Sequence, residues 1–124
     1  MNAVAHRLMV VDDSNVIRRR IERGNDLEAV EFVGAARNGI EALQLFERVH
    51  PTLVTMDLTM PEMDGAACVE QLIERDPTLR ILVISALADK LTAIEAIEKG
   101  ACGFLCKPFT DRQLNDALRK LIQG

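Results

Sequence analysis

The sequence predicts an α/β protein in which a parallel sheet is covered by helices on both faces. Three observations predict this class. Short apolar runs alternate five times with segments of helical periodicity. The apolar runs are continuous, as expected of strands that are buried on both faces. No linker, repeat or low-complexity segment interrupts the alternation, so we expect a single domain over residues 1–124.

The predicted strands are the apolar runs, which are rich in β-branched and other aliphatic side chains. Each run is short, and each is followed by a segment in which the apolar residues recur with the period of a helix. The strands are predicted at Leu8–Val11, Val30–Ala36, Leu53–Asp57, Arg80–Ser85 and Gly103–Lys107. We expect right-handed crossovers between them, as is the rule for parallel strands.

The predicted helices follow the strands and have recognisable ends. Ser14 or Asp13 can cap the first helix, and Thr110 or Asp111 can cap the fifth. The other helices end at a Gly or before a Pro, both of which stop helices. The helices are predicted at 14–24, 38–50, 65–76, 88–100 and 110–124.

Apolar stripes on these helices predict which side chains face the core. The stripe of the fourth helix is assigned to Leu91, Ile94 and Ile97. The stripe of the fifth helix is unbroken. Its members are Leu114, Ala117, Leu118, Leu121 and Ile122.

Composition and charge exclude several classes of function. The formal net charge of −4 argues against nonspecific nucleic-acid binding, because such binding requires clustered Lys and Arg. The basic run Arg18–Arg20 indicates a solvated helix face, with a docking spot for an acidic partner as the alternative. No apolar run is long enough to span a membrane, and the N-terminus lacks the apolar region of a signal peptide. We therefore expect a cytoplasmic protein that does not bind membranes.

The three cysteines do not suggest a metal site or a disulfide. Cys68, Cys102 and Cys106 are odd in number and form no CxxC pair, and no His lies at metal-ligand spacing. We expect all three to be buried, reduced thiols in a reducing compartment.

Polar residues follow the strands at the edge where parallel sheets bind ligands. Asp12 and Asp13 follow the first strand, Asp57 closes the third, Ser85 the fourth and Lys107 the fifth. The second strand contributes none, which fits a flavodoxin-like order 2-1-3-4-5 with that strand at the edge of the sheet. The switch in strand order then lies between the first and third strands, where we expect the three aspartates to converge.

Three convergent carboxylates need a counter-charge, which Mg²⁺ would supply through the oxygen ligands that it prefers. Lys107 adds a second positive charge and Ser85 a hydroxyl, an arrangement suited to a phosphoryl group. An Asp carboxylate can itself be the nucleophile. Each residue also has an ordinary alternative role: Asp13 as a helix cap, Asp57 as the start of an Asx-turn, and the others as loop residues.

Four segments together resemble the response-regulator receiver domain, in particular stand-alone receivers of the chemotaxis type. They are "VVDDS", "MDLTMPEMDG", "VISA" and "GFLCKPF", and the resemblance extends over the whole chain. It implies a flavodoxin-like (βα)5 fold with strand order 2-1-3-4-5. It also implies that Asp57 accepts a phosphoryl group from a phosphohistidine on a histidine kinase.

The resemblance assigns further roles to individual residues. Asp13 and Asp57 are expected to bind Mg²⁺ directly, with Asp12 close by and Thr59 lending its backbone carbonyl. Lys107 is expected to contact the phosphate, and the bond before Pro108 is expected to be cis. The switch residues are expected to be Ser85, which moves toward the phosphoryl group, and Phe104, which stands where the best-known members have Tyr. Leu87 cannot orient an attacking water, which predicts slow loss of the phosphate.

The implied function is a phosphorylation-switched binding module rather than an enzyme, since it catalyses only its own phosphorylation and dephosphorylation. The expected partners are a histidine kinase, a phosphatase, and the flagellar motor switch protein or another downstream target. The target would bind the face made by the fourth helix, fifth strand and fifth helix, and the chain is expected to be a monomer. A single-domain adaptor or a phosphorelay receiver outside chemotaxis is the close alternative.

Two alternatives come from other classes of protein. An aspartyl-nucleophile phosphatase of the haloacid-dehalogenase type needs a second Asp two residues after the nucleophile, where this chain has Thr59. A flavodoxin-like electron carrier needs a Ser/Thr/Gly-rich loop after the first strand and aromatic residues to stack the flavin. The loop here is acidic and aromatic residues make up 3% of the chain.

Overall fold

The computed structural model describes residues 5–58, 60, 63, 65–86 and 90–123. Within these residues five strands alternate with five helices. The strands are β1 (His6–Val11), β2 (Val30–Ala36), β3 (Leu53–Asp57), β4 (Arg80–Ala86) and β5 (Gly103–Lys107). The helices are α1 (Asn15–Gly24), α2 (Gly39–Val49), α3 (Gly65–Arg75), α4 (Lys90–Glu98) and α5 (Asp111–Gln123). The predictions for Thr59 and Leu87 concern residues outside the described part of the chain.

The five strands form one parallel sheet in the order β2-β1-β3-β4-β5, as predicted. In the centre of the sheet Leu8 pairs with Leu53, and Leu53 pairs with Arg80. One irregularity interrupts the pairing of β1 with β2, between Leu8 and Met9. The order reverses between β1 and β3, so the carboxyl ends of these two strands flank the point where such sheets bind ligands.

The core has two layers, one on each face of the sheet. Alternate residues of β1, such as Met9 and Leu8, point into different layers because side chains alternate along a strand. Met9 packs with residues of α2, α3 and α4, including Phe46 and Leu72. Leu8 packs with residues of α1 and α5. The strands are therefore apolar on both sides, which accounts for their continuous apolar runs.

The helix ends follow the local chemistry of the sequence. Ser14, rather than Asp13, caps α1, and its side chain accepts a hydrogen bond from the N–H of Ile17 at 3.2 Å. Thr110, rather than Asp111, precedes α5 and exchanges two hydrogen bonds with Gln113, so both N–H groups are satisfied. These caps leave the side chains of Asp13 and Asp111 available for other contacts.

The prediction for the buried face of α4 was wrong. Leu91, Ile94 and Ile97 are exposed, Leu91 by 84%, whereas Ala93 and Ala96 are buried. The helix has apolar residues on every side, so periodicity alone does not decide which side faces the sheet. The small side chains face inward because they let the helix lie close to β4 and α3.

The prediction that all three cysteines are buried holds only for Cys68. Cys106 is half-buried and Cys102 is exposed. Cys102 directly precedes β5, the last strand of the sheet, where the neighbouring strand covers one side only. An apolar neighbourhood in sequence therefore did not imply burial there.

The amino ends of β1 and β4 each carry an arginine that binds the carboxyl end of a helix. The Arg7 guanidinium donates to the carbonyl of Val49 at the end of α2, at 2.7 and 3.1 Å. Arg80 donates to the carbonyl of Leu121 at the end of α5, at 2.7 Å. Both arginines satisfy helix carbonyls that have no partner within the helix. Among the described helices, none is both long and apolar enough to cross a membrane.

Candidate functional site

The carboxyl ends of four strands bring the predicted polar residues to one edge of the sheet. Asp12 directly follows β1, and Asp57 is the last residue of β3. Ser85 lies near the end of β4, one residue beyond the partner of Asp57, and Lys107 is the last residue of β5. Parallel strands in register end at the same level, so these side chains meet at the point where the strand order reverses.

Three carboxylates form the centre of this edge. One carboxylate oxygen from each of Asp12, Asp13 and Asp57 lies within 4.8 Å of the others. Asp12 is 1% exposed and Asp57 2%, whereas Asp13 is exposed. Burying two carboxylates beside a third is costly unless a positive charge lies close to them.

Lys107 supplies that charge within the protein. Its Nζ lies 3.1 Å from Oδ2 of Asp12 and 3.5 Å from Oδ1 of Asp57. Burial acts to lower the pKa of Lys107, but the attraction of Asp12 and Asp57 outweighs it, and the pKa is raised above its ordinary value. The ammonium is therefore charged at neutral pH. Its contribution to stability is complete below the pKa of an unfolded Lys, about 10.4, and is lost as the pH rises through the higher folded value.

The loop after β1 is held at several atoms. The Asp12 N–H donates to the carbonyl of Ala36 at 3.1 Å, and Oδ1 of Asp12 accepts the N–H of Ser14 at 2.9 Å. The Arg18 guanidinium donates to the carbonyl of Asp12 at 2.8 Å. With Lys107 on the other carboxylate oxygen, both the backbone and the side chain of Asp12 have fixed positions.

A glycine allows α3 to begin against the end of β3. A Cβ on Gly65 would collide with the carbonyl oxygen of Asp57 and lie 2.6 Å from Cα of Leu58. The N–H of Gly65 donates to the carbonyl of Leu58 at 3.2 Å. No side chain fits here without a shift of the backbone that carries Asp57.

The end of β5, the segment that follows it and Ser85 on β4 complete the surroundings of the three carboxylates. The peptide bond between Lys107 and Pro108 is cis, as the resemblance implied. Phe109 is buried, and the Arg20 guanidinium lies over its ring, 5.6 Å from the centroid. Ser85 is buried and Phe104 is 38% exposed, so the two predicted switch residues occupy different environments.

Two features of this edge were not predicted from the sequence. Arg18 was assigned to a solvated face, yet it binds the loop that carries Asp12 and Asp13. Arg37 directly follows β2, which was expected to contribute no polar residue, and its guanidinium binds Oε2 of Glu41 at 2.7 Å. The hydrogen bonds from Arg37 are the main reason that the pKa of Glu41 falls to about 2. The sequence did contain one indication of Arg37, because this residue directly follows a predicted strand, as Asp12 does.

The donor set fits a hard divalent cation. The cluster of described residues offers carboxylate oxygens without a thiolate or an imidazole, and Mg²⁺ prefers such ligands. Mg²⁺ also uses few carboxylates and retains several waters, which agrees with one exposed and two buried acids. The residues therefore suit Mg²⁺ better than zinc.

Comparison with known proteins gives one family. The family model for the response regulator receiver domain matches residues 8–119. The chemotaxis protein CheY of Listeria monocytogenes is 37% identical over 114 residues, which cover 92% of this chain and 96% of that protein.

Solved structures of the same kind are similar throughout. The receiver domain of the response regulator AraT from Geobacillus stearothermophilus superposes with a TM-score of 0.89 at 29% identity, over 95% of this chain and 93% of that one. A CheX–CheY–BeF₃–Mg²⁺ complex from Borrelia burgdorferi contains a chain with a TM-score of 0.88 at 26% identity, over 96% and 90% of the two chains. These likenesses confirm the predicted flavodoxin-like fold.

Proposed function

The chain belongs to the response regulator receiver domain family of two-component signalling, and on that premise we propose that Asp57 accepts a phosphoryl group from a histidine kinase. The observation that carries the proposal is the position of Asp57. Its carboxylate is almost fully buried at the end of a central strand, within 4.8 Å of two other acids and 3.5 Å from the Lys107 ammonium. Such an arrangement of charged groups costs stability and is typical of a functional site rather than of packing.

The transfer is a displacement at phosphorus. A carboxylate oxygen of Asp57 attacks the phosphorus of the kinase phosphohistidine and forms a P–O bond, giving an acyl phosphate. The P–N bond breaks, and its electron pair stays on the imidazole nitrogen of the kinase. Lys107 lies where it can bind a phosphoryl oxygen, and it needs no reorganisation because Asp12 already holds its ammonium in place.

We assign the Mg²⁺ site of this centre to Asp12, Asp13 and Asp57, together with the backbone carbonyl of Thr59 that the family resemblance implies. Bound there, Mg²⁺ would offset the charge of the acids and of the incoming phosphoryl group. The carboxylates of the described residues converge to the spacing that a shared cation requires. Both carboxylate oxygens of Asp12 have partners in Ser14 and Lys107, whereas Asp13 is exposed. We therefore assign Asp13 as a direct ligand, and Asp57 as another on the resemblance, with Asp12 close by.

Phosphorylation would act by shifting a two-state equilibrium. Ser85 would bond the phosphoryl oxygen, and Phe104 would move from its half-exposed position toward the interior. The surface that changes is formed by α4, β5 and α5. It already presents Leu91, Ile94 and Ile97 to solvent, and such a row of apolar side chains suits the binding of a target protein.

We place this protein in chemotaxis, with the flagellar motor switch protein as its target, a kinase and a phosphatase as further partners, and the cytoplasm as its location. Likeness to CheY over nearly the whole length of both chains supports this pathway. An adaptor or phosphorelay receiver of another pathway is the second candidate. Pull-down with the motor switch protein and with the chemotaxis kinase, each with and without phosphorylation, distinguishes the two.

The experiment that tests the proposal is incubation with acetyl phosphate and Mg²⁺, followed by intact mass spectrometry. We expect one added phosphoryl group on the parent protein and none on the Asp57→Asn variant, because an amide is not a nucleophile here. Omission of Mg²⁺ is the matched control. A parent protein that stays unmodified would contradict the proposal, and steady hydrolysis of generic phosphate esters would favour the phosphatase instead.

A further inference from the structure

The basic run on α1 contains one arginine that binds the backbone of the loop carrying Asp12 and Asp13. Arg18 is half-buried and lies one turn into α1. Its guanidinium donates to the carbonyl of Asp12 at 2.8 Å and to Oδ1 of Asn15 at 3.3 Å. We propose that Arg18 is a positioning residue, which holds the loop after β1 so that Asp12 and Asp13 present their carboxylates to Mg²⁺. The inference rests on the metal site of the proposed function.

The planar peptide unit explains how one hydrogen bond sets two acids. The carbonyl oxygen of Asp12 and the nitrogen of Asp13 belong to the same rigid plane. Fixing that oxygen therefore fixes the direction in which the chain enters Asp13. The Asp12 side chain has further anchors in Ser14 and Lys107. Asp13 is exposed, and no hydrogen bond or ion pair of its side chain occurs among the described residues, so its position depends on the backbone.

Charge and position act in opposite directions at this site. Arg18 carries a positive charge close to the acids, so its removal reduces repulsion and by electrostatics alone strengthens the binding of a cation. Loss of a hydrogen bond that orders the ligands weakens the binding instead, commonly by a factor of ten or more. The sign of the change in Mg²⁺ affinity therefore separates the two roles of Arg18.

The same run supplies the matched control. Arg19 is exposed, and its side chain makes no hydrogen bond, ion pair or ring contact within the part of the chain that the structure describes. Arg19→Gln removes the same charge one residue further along. Arg20 is unsuitable as a control, because it lies over the ring of Phe109.

The test is the Mg²⁺ dissociation constant by isothermal titration calorimetry, at one pH and one ionic strength, for the parent, Arg18→Gln and Arg19→Gln. We expect Arg18→Gln to bind Mg²⁺ about tenfold more weakly and Arg19→Gln to bind it no more weakly than the parent. Binding by Arg18→Gln that equals or exceeds the parent would overturn the proposal. Circular dichroism verifies that each variant is folded at the temperature used.

A second variant keeps the proposal testable if Arg18→Gln does not fold. Arg18→Lys retains the charge but lacks the planar fork that reaches both acceptors, so we expect it to bind Mg²⁺ more weakly than the parent too. Parent-like affinity would contradict the positioning role. Failure of acetyl phosphate to modify the parent would overturn the proposed function while leaving this affinity comparison intact, so the two claims fail separately.

Discussion

At the end of β3, one glycine decides how closely α3 approaches the strand that carries Asp57. We expect Gly65→Ala to destabilise the protein by about 2 kcal/mol, because the added Cβ meets backbone atoms of Asp57 and Leu58 that cannot rotate away. Urea unfolding followed by circular dichroism measures this change. The matched control is Gly103→Ala, where the added Cβ meets only the flexible tip of Leu82 at 3.3 Å. Equal stability of the two variants would contradict the argument.

At Thr55, two residues before Asp57, we expect a substitution to stabilise the protein rather than destabilise it. It is 1% exposed, and its Oγ1 is the one buried side-chain N or O atom among the described residues that lacks a hydrogen-bond partner. An unsatisfied buried hydroxyl costs about 1–3 kcal/mol, so we expect Thr55→Val to stabilise the protein by about 1 kcal/mol. Thr52→Val is the control. Thr52 accepts the N–H of Arg7 at 2.8 Å, and its removal should not stabilise. A lower urea midpoint for Thr55→Val than for the parent would refute this expectation.

At the scale of the elements, a buried amide joins α5 to the end of α1. Nδ2 of Asn115 donates to the carbonyls of Gly24 at 2.7 Å and Asp111 at 2.8 Å, and its Oδ1 accepts the N–H of Asp26 at 2.9 Å. We expect Asn115→Ala to cost about 3 kcal/mol, since it leaves a buried carbonyl and an N–H without partners. Asp116→Ala, at an exposed neighbour on the same helix, should change the free energy of unfolding by less than about 0.5 kcal/mol. A similar loss for both variants would show that α5 responds to any substitution.

An element could be predicted from the sequence when its apolar residues formed a clear pattern. The strands were found because their apolar runs are continuous. The apolar stripe of α5 was found because Leu114, Leu118 and Leu121 form a one-sided pattern, and all three are buried. The face of α4 was assigned wrongly because apolar residues surround that helix. Asn115 is buried within the stripe of α5, and a polar residue gives no periodic signal from which its burial could be inferred.

At the scale of the whole molecule, the cluster of Asp12, Asp13 and Asp57 couples metal binding to stability. A ligand that binds only the folded state stabilises it, by about 2.7 kcal/mol at one hundred times the dissociation constant. We expect Mg²⁺ to raise the unfolding free energy of the parent accordingly, and to have much less effect on Asp13→Asn. Sodium chloride at matched ionic strength controls for screening. Identical responses of the two proteins to Mg²⁺ would contradict the assignment of the site.

The cluster itself could be predicted because the topology dictates it. Parallel strands end together, so acids that follow the first and third strands must meet once the order 2-1-3-4-5 is known. Arg18 could not be predicted in the same way. It binds a backbone carbonyl, and every residue has one, so no pairing of side-chain types in the sequence indicates the contact.

The way in which α4 rests on the sheet has an evolutionary consequence. Of its described side chains, the buried ones are Ala93 and Ala96, so the fold depends on two methyl groups there. Leu91, Ile94 and Ile97 face outward and add little to the core. Mutation can therefore change that outer row with little penalty to folding, so descendants of this chain could bind new partner proteins while the acids and Lys107 at the carboxyl ends of the strands stay unchanged.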